Sequence, residues 1–350
     1  LAMGRKGGVS DMTFLGEATR HDPCHLDTKD ILMNGYILDH ALRQAQQNST
    51  MFIYNDRHKT TMKAMCIRRG EVFVESHSKL LPLGTIHFQG AAKLYYEFLS
   101  TRIRDSCRTS VAPFSFGPIS CEPPLPPSTH PPTTTHPQHP GCRLEQPVPP
   151  DLPDITPDTT PIVVGAGEPC TAMLRFRQSM VLHFLTRLNP GVPIVLLHHK
   201  NCGVAGHPSV RQVNVGVGKF LELRHALASV YVHLSTNPIS LEFNAMMRWI
   251  NLNELVKQWK VPSVVQLDND ILPLIPAAQA FGELHRNRNC STLSGKISGH
   301  YNIVTSSFLS HAVNLTWWTY TDPTELRRRR VQHAESLAMG RNGGVCDMTF

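Results

Sequence analysis

Short apolar runs alternate with longer segments of helical spacing along the second half of the chain. Pro161-Ile162-Val163-Val164-Gly165 and Val192-Pro193-Ile194-Val195-Leu196-Leu197 are rich in β-branched residues and have no polar face, the pattern of buried parallel strands. Between them, Ala172 to Leu188 spaces its apolar positions for a helix, and Asn189-Pro190-Gly191 supplies a stop and a turn. Leu241 to Trp259 is a second long helical pattern, and Pro262 then opens a third strand, Ser263-Val264-Val265-Gln266-Leu267. Strand, helix and strand in alternation predict an α/β layered unit. In the first half of the chain, Asp30 to Gln47 and Ala91 to Ile103 have helical spacing. Glu71-Val72-Phe73-Val74 and Leu83-Gly84-Thr85-Ile86-His87-Phe88 read as strands.

A different kind of sequence separates the two halves. Residues 111–160 hold 15 of the chain's 27 prolines, with Thr, Ser and His between them. Such a stretch lacks backbone donors and cannot bury apolar area, so 110–157 is expected to be an extended, disordered linker. The two ends of the chain add a second clue. Residues 1–14 and 337–350 agree at 12 of 14 positions, the exceptions being Lys6/Asn342 and Ser10/Cys346. A short duplicated tag would account for this, and so would a window cut from a tandem array of near-identical domains. On the second reading, 1–109 is the C-terminal half of a domain, 158–336 is the N-terminal half, and 337–350 duplicates 1–14. A flexible linker of this length spans about 40 Å. A globule of the rejoined size has a radius of gyration of roughly 19 Å. The halves are therefore able to pair within one chain, as a circular permutant.

At 350 residues and 41% hydrophobic content the chain can bury a real core, which argues against global disorder. A net charge of +7 suggests a mild preference for anions, part of it from Arg327-Arg328-Arg329-Arg330. That run reads as a solvated helix face or tail. Polyanion binding through it is a rival function, but no nucleic-acid partner is expected, since only 7% of the chain is aromatic. Nine cysteines contain no C-x-x-C pair, which argues against a zinc ribbon. They read as buried thiols with room for a disulfide or two outside the cytosol. No apolar run reaches the ~18 residues of a membrane span, so no membrane anchor is seen. Sequons at Asn48, Asn289 and Asn314 fit a Golgi or secretory lumen, with the cytoplasm as the alternative.

The candidate chemistry sits at a strand end. Asp268-Asn269-Asp270 follows directly on Ser263–Leu267. Two carboxylates at i and i+2 can share one hard divalent cation that also touches a diphosphate, although the same pattern occurs as a solvated turn. The strand before it favours the metal reading, because ligands in open α/β sheets gather at the carboxyl ends of strands. Carboxylates suit Mg2+ or Mn2+, and an added imidazole tilts the choice toward Mn2+.

This strand with Asp268-Asn269-Asp270 resembles the D-x-D of GT-A-fold glycosyltransferases. The block from Tyr231 to Pro238, with Glu242 and Arg248-Trp249, is similar to a nucleotide-diphospho-sugar transferase group within that fold. His87-Phe88-Gln89-Gly90-Ala91-Ala92-Lys93 fits H-x-x-G-x-x-K, which resembles the C-terminal motif of glycogenin-like and galactinol-synthase-like transferases, although their Pro-Trp after the Lys is replaced by Leu94-Tyr95. The resemblance implies a Rossmann-like mixed sheet flanked by helices, permuted or split by the Pro-rich linker. It further implies His87 as a third metal ligand beside Asp268 and Asp270. Gly90 would let the backbone approach the diphosphate, and Lys93 and Arg248 would face the donor. Gly7-Gly8-Val9-Ser10-Asp11 is similar to a turn bordering the sugar and acceptor, with Asp11, duplicated at Asp347, near the reacting carbon. Ser298-Gly299-His300 is similar to a donor-side turn, and Asp39-His40 is a further family-like pair. The implied activity is transfer of a hexose from a nucleotide diphosphate sugar, UDP-linked for preference, to a glycan, protein or small-molecule hydroxyl. The alternative is an inactive repeat fragment acting as a binding or structural module.

Overall fold

In the computed structural model the apolar runs become strands of one sheet. Described are residues 32–34, 51–55, 58–62, 65–76, 79–88, 96–107, 114–116, 142–145, 148, 151–165, 170–200, 202–236, 238–281, 292–294 and 298–338. The strands are β1 (Leu32–Asn34), β2 (Met51–Asn55), β3 (His58–Met62), β4 (Met65–Arg68), β5 (Glu71–Ser76), β6 (Lys79–Pro82), β7 (Thr85–His87), β8 (Phe114–Phe116), β9 (Ile162–Val164), β10 (Ile194–His198), β11 (Val210–Asn214), β12 (Ser263–Leu267), β13 (Ile271–Pro273), β14 (Thr292–Ser294) and β15 (Ser298–Thr305). The helices are α1 (Tyr96–Asp105), α2 (Ala172–Leu188), α3 (Gly218–Val230), α4 (Ile239–Trp259), α5 (Ala277–Phe281), α6 (Ser306–Thr321) and α7 (Pro323–Ala338).

The main sheet has the order β11-β10-β9-β12-β15-β14. Its first four strands run parallel, and β15 and β14 run antiparallel to their neighbours. The fold is therefore α/β, built on a mixed, parallel-rich sheet flanked by helices. Alternation along each strand sorts the side chains to two faces. Ile162, Val164, Ile194, Leu196, Val265, Leu267 and Ile303 pack with Val181, Leu182 and Leu185 of α2 and with Tyr96, Leu99 and Ile103 of α1. Val163, Val195, Leu197, Val264 and Val304 pack with Trp249, Leu252 and Leu255 of α4 and Phe308 and Leu309 of α6. Thr171 caps α2, its Oγ1 accepting from Leu174 N at 3.1 Å, and Thr305 caps α6 in the same way on Phe308 at 3.2 Å.

The two ends of the sequence share this core. A second sheet has the order β1-β7-β13, and it joins the early strands to the segment after Asp270. β7 and β13 are antiparallel, with Ile271 opposite His87, Leu272 opposite Ile86 and Pro273 opposite Thr85. Phe88 N donates to Asp270 O at 2.9 Å, and Leu274 N donates to Gly84 O at 2.8 Å. Met65, Ile67, Ile86 and Phe88 are buried in the same cluster as Ile162 and Ile271.

Four antiparallel strands, β6-β5-β4-β8, form a smaller sheet. Its β4–β5 hairpin turns on Arg69 (φ 51°) and Gly70 (φ 77°), the paired left-handed residues of a tight hairpin. A disulfide between Cys107 and Cys142 packs on this turn. A Cβ at Gly70 would lie 2.7 Å from Cys142 Sγ and 3.0 Å from Cys107 Sγ. Closing a loop of 35 residues contributes about 3–4 kcal/mol by chain entropy. Cys170–Cys202 is a second disulfide and Cys66 is also disulfide-bonded, so among the described residues the cysteines are bonded rather than buried free thiols, and the room left for disulfides is used.

Two further expectations are revised, and a third is met over the described residues. Residues 32–34, placed in a helix by their spacing, form a strand paired in parallel with β7, because an open strand edge outweighs a weak helical preference. The helix expected over Ala91–Ile103 is seen as α1 from Tyr96 onward, with 91–95 outside the described residues. Within the stretch read as linker, Phe114–Phe116 pairs with β4 and Leu144 is buried, while 117–141 lies outside the described residues. Gly70→Ala is expected to cost about 1–2 kcal/mol from the left-handed backbone alone, with crowding of the disulfide added. The urea unfolding midpoint reads this, and an unchanged midpoint would contradict the account of the turn.

Candidate functional site

β9 and β12 end side by side. Val164 and Leu267 are register partners, and Gly165 N donates to Leu267 O at 2.8 Å. Asp268 therefore emerges at the carboxyl edge of parallel strands, the place where open α/β sheets bind ligands. A Cβ at Gly165 would lie 3.6 Å from Asp268 Oδ1, so the start of the 165–170 segment abuts this carboxylate. Asp268-Asn269-Asp270 is a tight turn closed by Ile271 N donating to Asp268 O at 3.1 Å. It passes the chain from the main sheet to β13.

The two acidic residues of the turn have different surroundings. Asp268 Oδ1 accepts from Arg248 Nη1 at 2.9 Å and from Gln266 Nε2 at 2.9 Å. Arg248 comes from α4, whose Trp249 anchors the helix on the sheet, and its guanidinium lies 5.7 Å from the Trp249 ring centroid. Gln266 Oε1 in turn accepts from Asn302 Nδ2 at 3.0 Å. Asp270 is only 9% exposed and faces the other stretch of chain. Its carbonyl binds Phe88 N, and its carboxylate lies near Tyr96. Burial first, then Asp270, push the Tyr96 hydroxyl well above its usual range, opposed by Arg177. Phe88 and Tyr96, whose rings stand 4.6 Å apart, flank the 89–95 segment; Phe88 is bonded to Asp270 through its amide, and the Tyr96 hydroxyl donates to Arg177 O at 3.4 Å.

Of the residues predicted for the site, Asp268 and Arg248 are brought together, with Asp270 at the end of the same turn. His87 has its backbone opposite Ile271, one residue from Asp270, and its side chain lies outside the described residues. The side chains of Ser298 and His300 on β15, and Asp11, Gly90 and Lys93 entirely, also lie outside them. Among the described residues no group of three or more His, Cys, Asp and Glu forms a metal cluster. Gln266, Asn302, Tyr96 and Arg177 were not anticipated. A polar residue inside an apolar strand, as in Ser263-Val264-Val265-Gln266-Leu267, was the available signal for the first.

Two other features are sorted by the structure. Tyr231 of the family-like block packs against Phe243 and Tyr320 in a helical cluster, and Ser235 Oγ donates to Glu242 Oε1 at 3.2 Å. The arginine run is not a solvated face throughout. Arg329 is 1% exposed and donates to Glu325 Oε1 at 2.6 Å, which Arg328 also engages. Burial raises the Glu325 carboxyl, and hydrogen bonds from Arg328 and Arg329 overcome it, so the net shift is downward. A buried carboxylate at i−4 is what draws Arg329 inward. That leaves Arg327, Arg328 and Arg330 exposed, with Arg328 paired to Glu325, so the run offers a smaller free cationic face than its sequence suggests.

Comparison with protein-family models, curated proteins and solved structures returns no match.

A separate polar cluster lies on α2. Ser179 Oγ and His207 Nε2 are 3.1 Å apart, and His183 Nε2 is buried without a hydrogen-bond partner. Burial, then Arg187, Arg104 and His207, lower His183 from 6.5 to about 4. Burial and Arg187 lower His207 as well. In the window from about 4 to 6.5 the unfolded chain binds more protons than the native one, so stability falls as pH drops through it. His183→Leu is expected to flatten the pH dependence of the urea midpoint between pH 7 and pH 5. An equally steep slope in the variant would contradict the assignment.

Proposed function

We propose that this chain is a metal-dependent glycosyltransferase of GT-A type, moving a hexose from a nucleotide diphosphate sugar, UDP-linked for preference, to a hydroxyl acceptor. The observation that carries the reading is the junction at Asp270. There the strand ending in His87, which opens H-x-x-G-x-x-K, pairs beside the strand-end Asp268-Asn269-Asp270. The first residue of one motif thus lies opposite Ile271, next to the last residue of the other, which fits 1–109 and 158–336 as halves of one permuted domain.

The donor set suits a hard cation. Asp268 and Asp270 offer carboxylate oxygens, which favour Mg2+ or Mn2+, and His87 would supply the imidazole that shifts the choice to Mn2+. The chemistry such an ion supplies is neutralisation of the charge that develops on the leaving diphosphate. The protein's own part is binding and orientation. Arg248 holds Asp268 in place, Gly90 and Lys93 serve the diphosphate, and Asp11 with Ser298 and His300 borders the sugar. The disulfides fit an oxidising, lumenal compartment. A structural or binding module is the second reading, favoured by an Arg248–Asp268 pair already complete at 2.9 Å within the fold.

Calorimetric titration of UDP in the presence of Mn2+ separates them. The wild type is expected to bind, and Asp270→Ala to lose about a hundredfold in affinity at an unchanged far-ultraviolet spectrum. Equal binding by the two proteins would remove the metal assignment, and binding by neither would favour the module.

A further inference from the structure

We propose that Gln266 and Asn302 are positioning residues whose role is to set the orientation of the Asp268 carboxylate. The inference deepens the reading above and rests on it for the ligand, not for the geometry. β12 is buried along all five residues; Val264, Val265 and Leu267 pack against apolar neighbours, and Ser263 at the far end meets Thr160. Gln266 and Asn302 are each 0% exposed and sit opposite one another in the β12–β15 register. A pair of apolar residues there would fill the same space without desolvating two amides, and such a replacement is commonly neutral or stabilising. The position of the amides therefore points to what they touch.

They form a directed chain. Asn302 Nδ2 donates to Gln266 Oε1 at 3.0 Å, which leaves the Gln266 Nε2 end toward Asp268 Oδ1 at 2.9 Å. The order cannot reverse without setting two oxygens against each other at the carboxylate. Arg248 reaches the same oxygen from α4, so Asp268 Oδ1 is held by donors from two different elements. Both elements are anchored in the core, Arg248 through its neighbour Trp249 and Gln266 through the strand itself. A carboxylate held this way has its remaining coordination directions set before any ligand arrives, and outer partners of this kind typically change metal affinity about 10–100-fold. Arg248 alone would hold the charge but would leave the carboxyl plane free to turn.

Gln266→Met keeps the length and removes the amide, and Asn302→Leu removes only the far donor. Crystal structures, melting temperatures and Mn2+–UDP calorimetry are to be recorded for both beside the wild type. The expected result is a rotated Asp268 carboxyl in Gln266→Met, at a somewhat lower melting temperature because the buried Asn302 Nδ2 loses its acceptor, with Mn2+-dependent UDP affinity down about tenfold or more. Asn302→Leu is expected to do the same more weakly, and it serves if Gln266→Met does not fold. If the wild type binds no Mn2+–UDP while the carboxyl still rotates, the positioning role stands and the glycosyltransferase reading fails. If the carboxyl keeps its place and affinity stays within about twofold, the positioning role is overturned.

Discussion

Three residues on one strand and three on another, far apart in sequence, hold the structure in its described form. β7 and β13 pair at His87–Ile271, Ile86–Leu272 and Thr85–Pro273, and backbone bonds from Phe88 and Leu274 extend the ladder at both ends. The strand β7 also carries β1, and behind it α1 and the β4–β5 hairpin bury into the face of the main sheet lined by Val164 and Leu267. Without this pairing, the edge of β13 and the apolar face beneath α1 would both be open to water. Long-range pairing of this kind costs loop-closure entropy. The Cys107–Cys142 bridge offsets part of that cost, because it closes the stretch between the two halves from just beyond α1.

The site follows from the same constraint. Asp268 ends a strand of the main sheet and Asp270 begins the crossing to the second sheet, so one short turn stands at the seam of both. The helical side of the seam supplies Arg248, the strand β15 supplies Asn302 through Gln266, and the other stretch of chain supplies Phe88 and Tyr96. The two carboxylates therefore meet different surroundings. One is fixed by cationic and amide donors, and the other is buried near a phenol that burial first, and then this carboxylate, push well above its usual range. Such asymmetry suits a group that must hold charge in one place and exclude water in the next.

Much of the layered architecture was legible in the sequence. Ala172–Leu188 and Ser263–Leu267 have the bounds that their patterns predicted, because elements buried on a defined face write that face into the apolar spacing. What was not legible depends on partners. Nothing in Leu32-Met33-Asn34 announces a strand, since its hydrogen bonds are completed by Thr85–His87. Arg329 became a core residue through Glu325 four positions earlier, a pairing visible as spacing but not as burial. Gln266 was an evident polar oddity in an apolar run, yet its meaning required the register that sets Asn302 opposite it, 36 residues away. In the same way Ser179 and His207 meet only because α2 and the loop after Cys202 fold together.

The central claim is that residues from both ends of the sequence form one ladder beside Asp270. Hydrogen exchange of the Phe88 and Leu274 amides in the intact chain tests it most directly, because each donates across that ladder, at 2.9 and 2.8 Å. Both amides are expected to be strongly protected and to exchange together, at a rate close to that of the Ile194–His198 strand. Exchange of both at unstructured rates, while Ile194–His198 stays protected, would contradict the account.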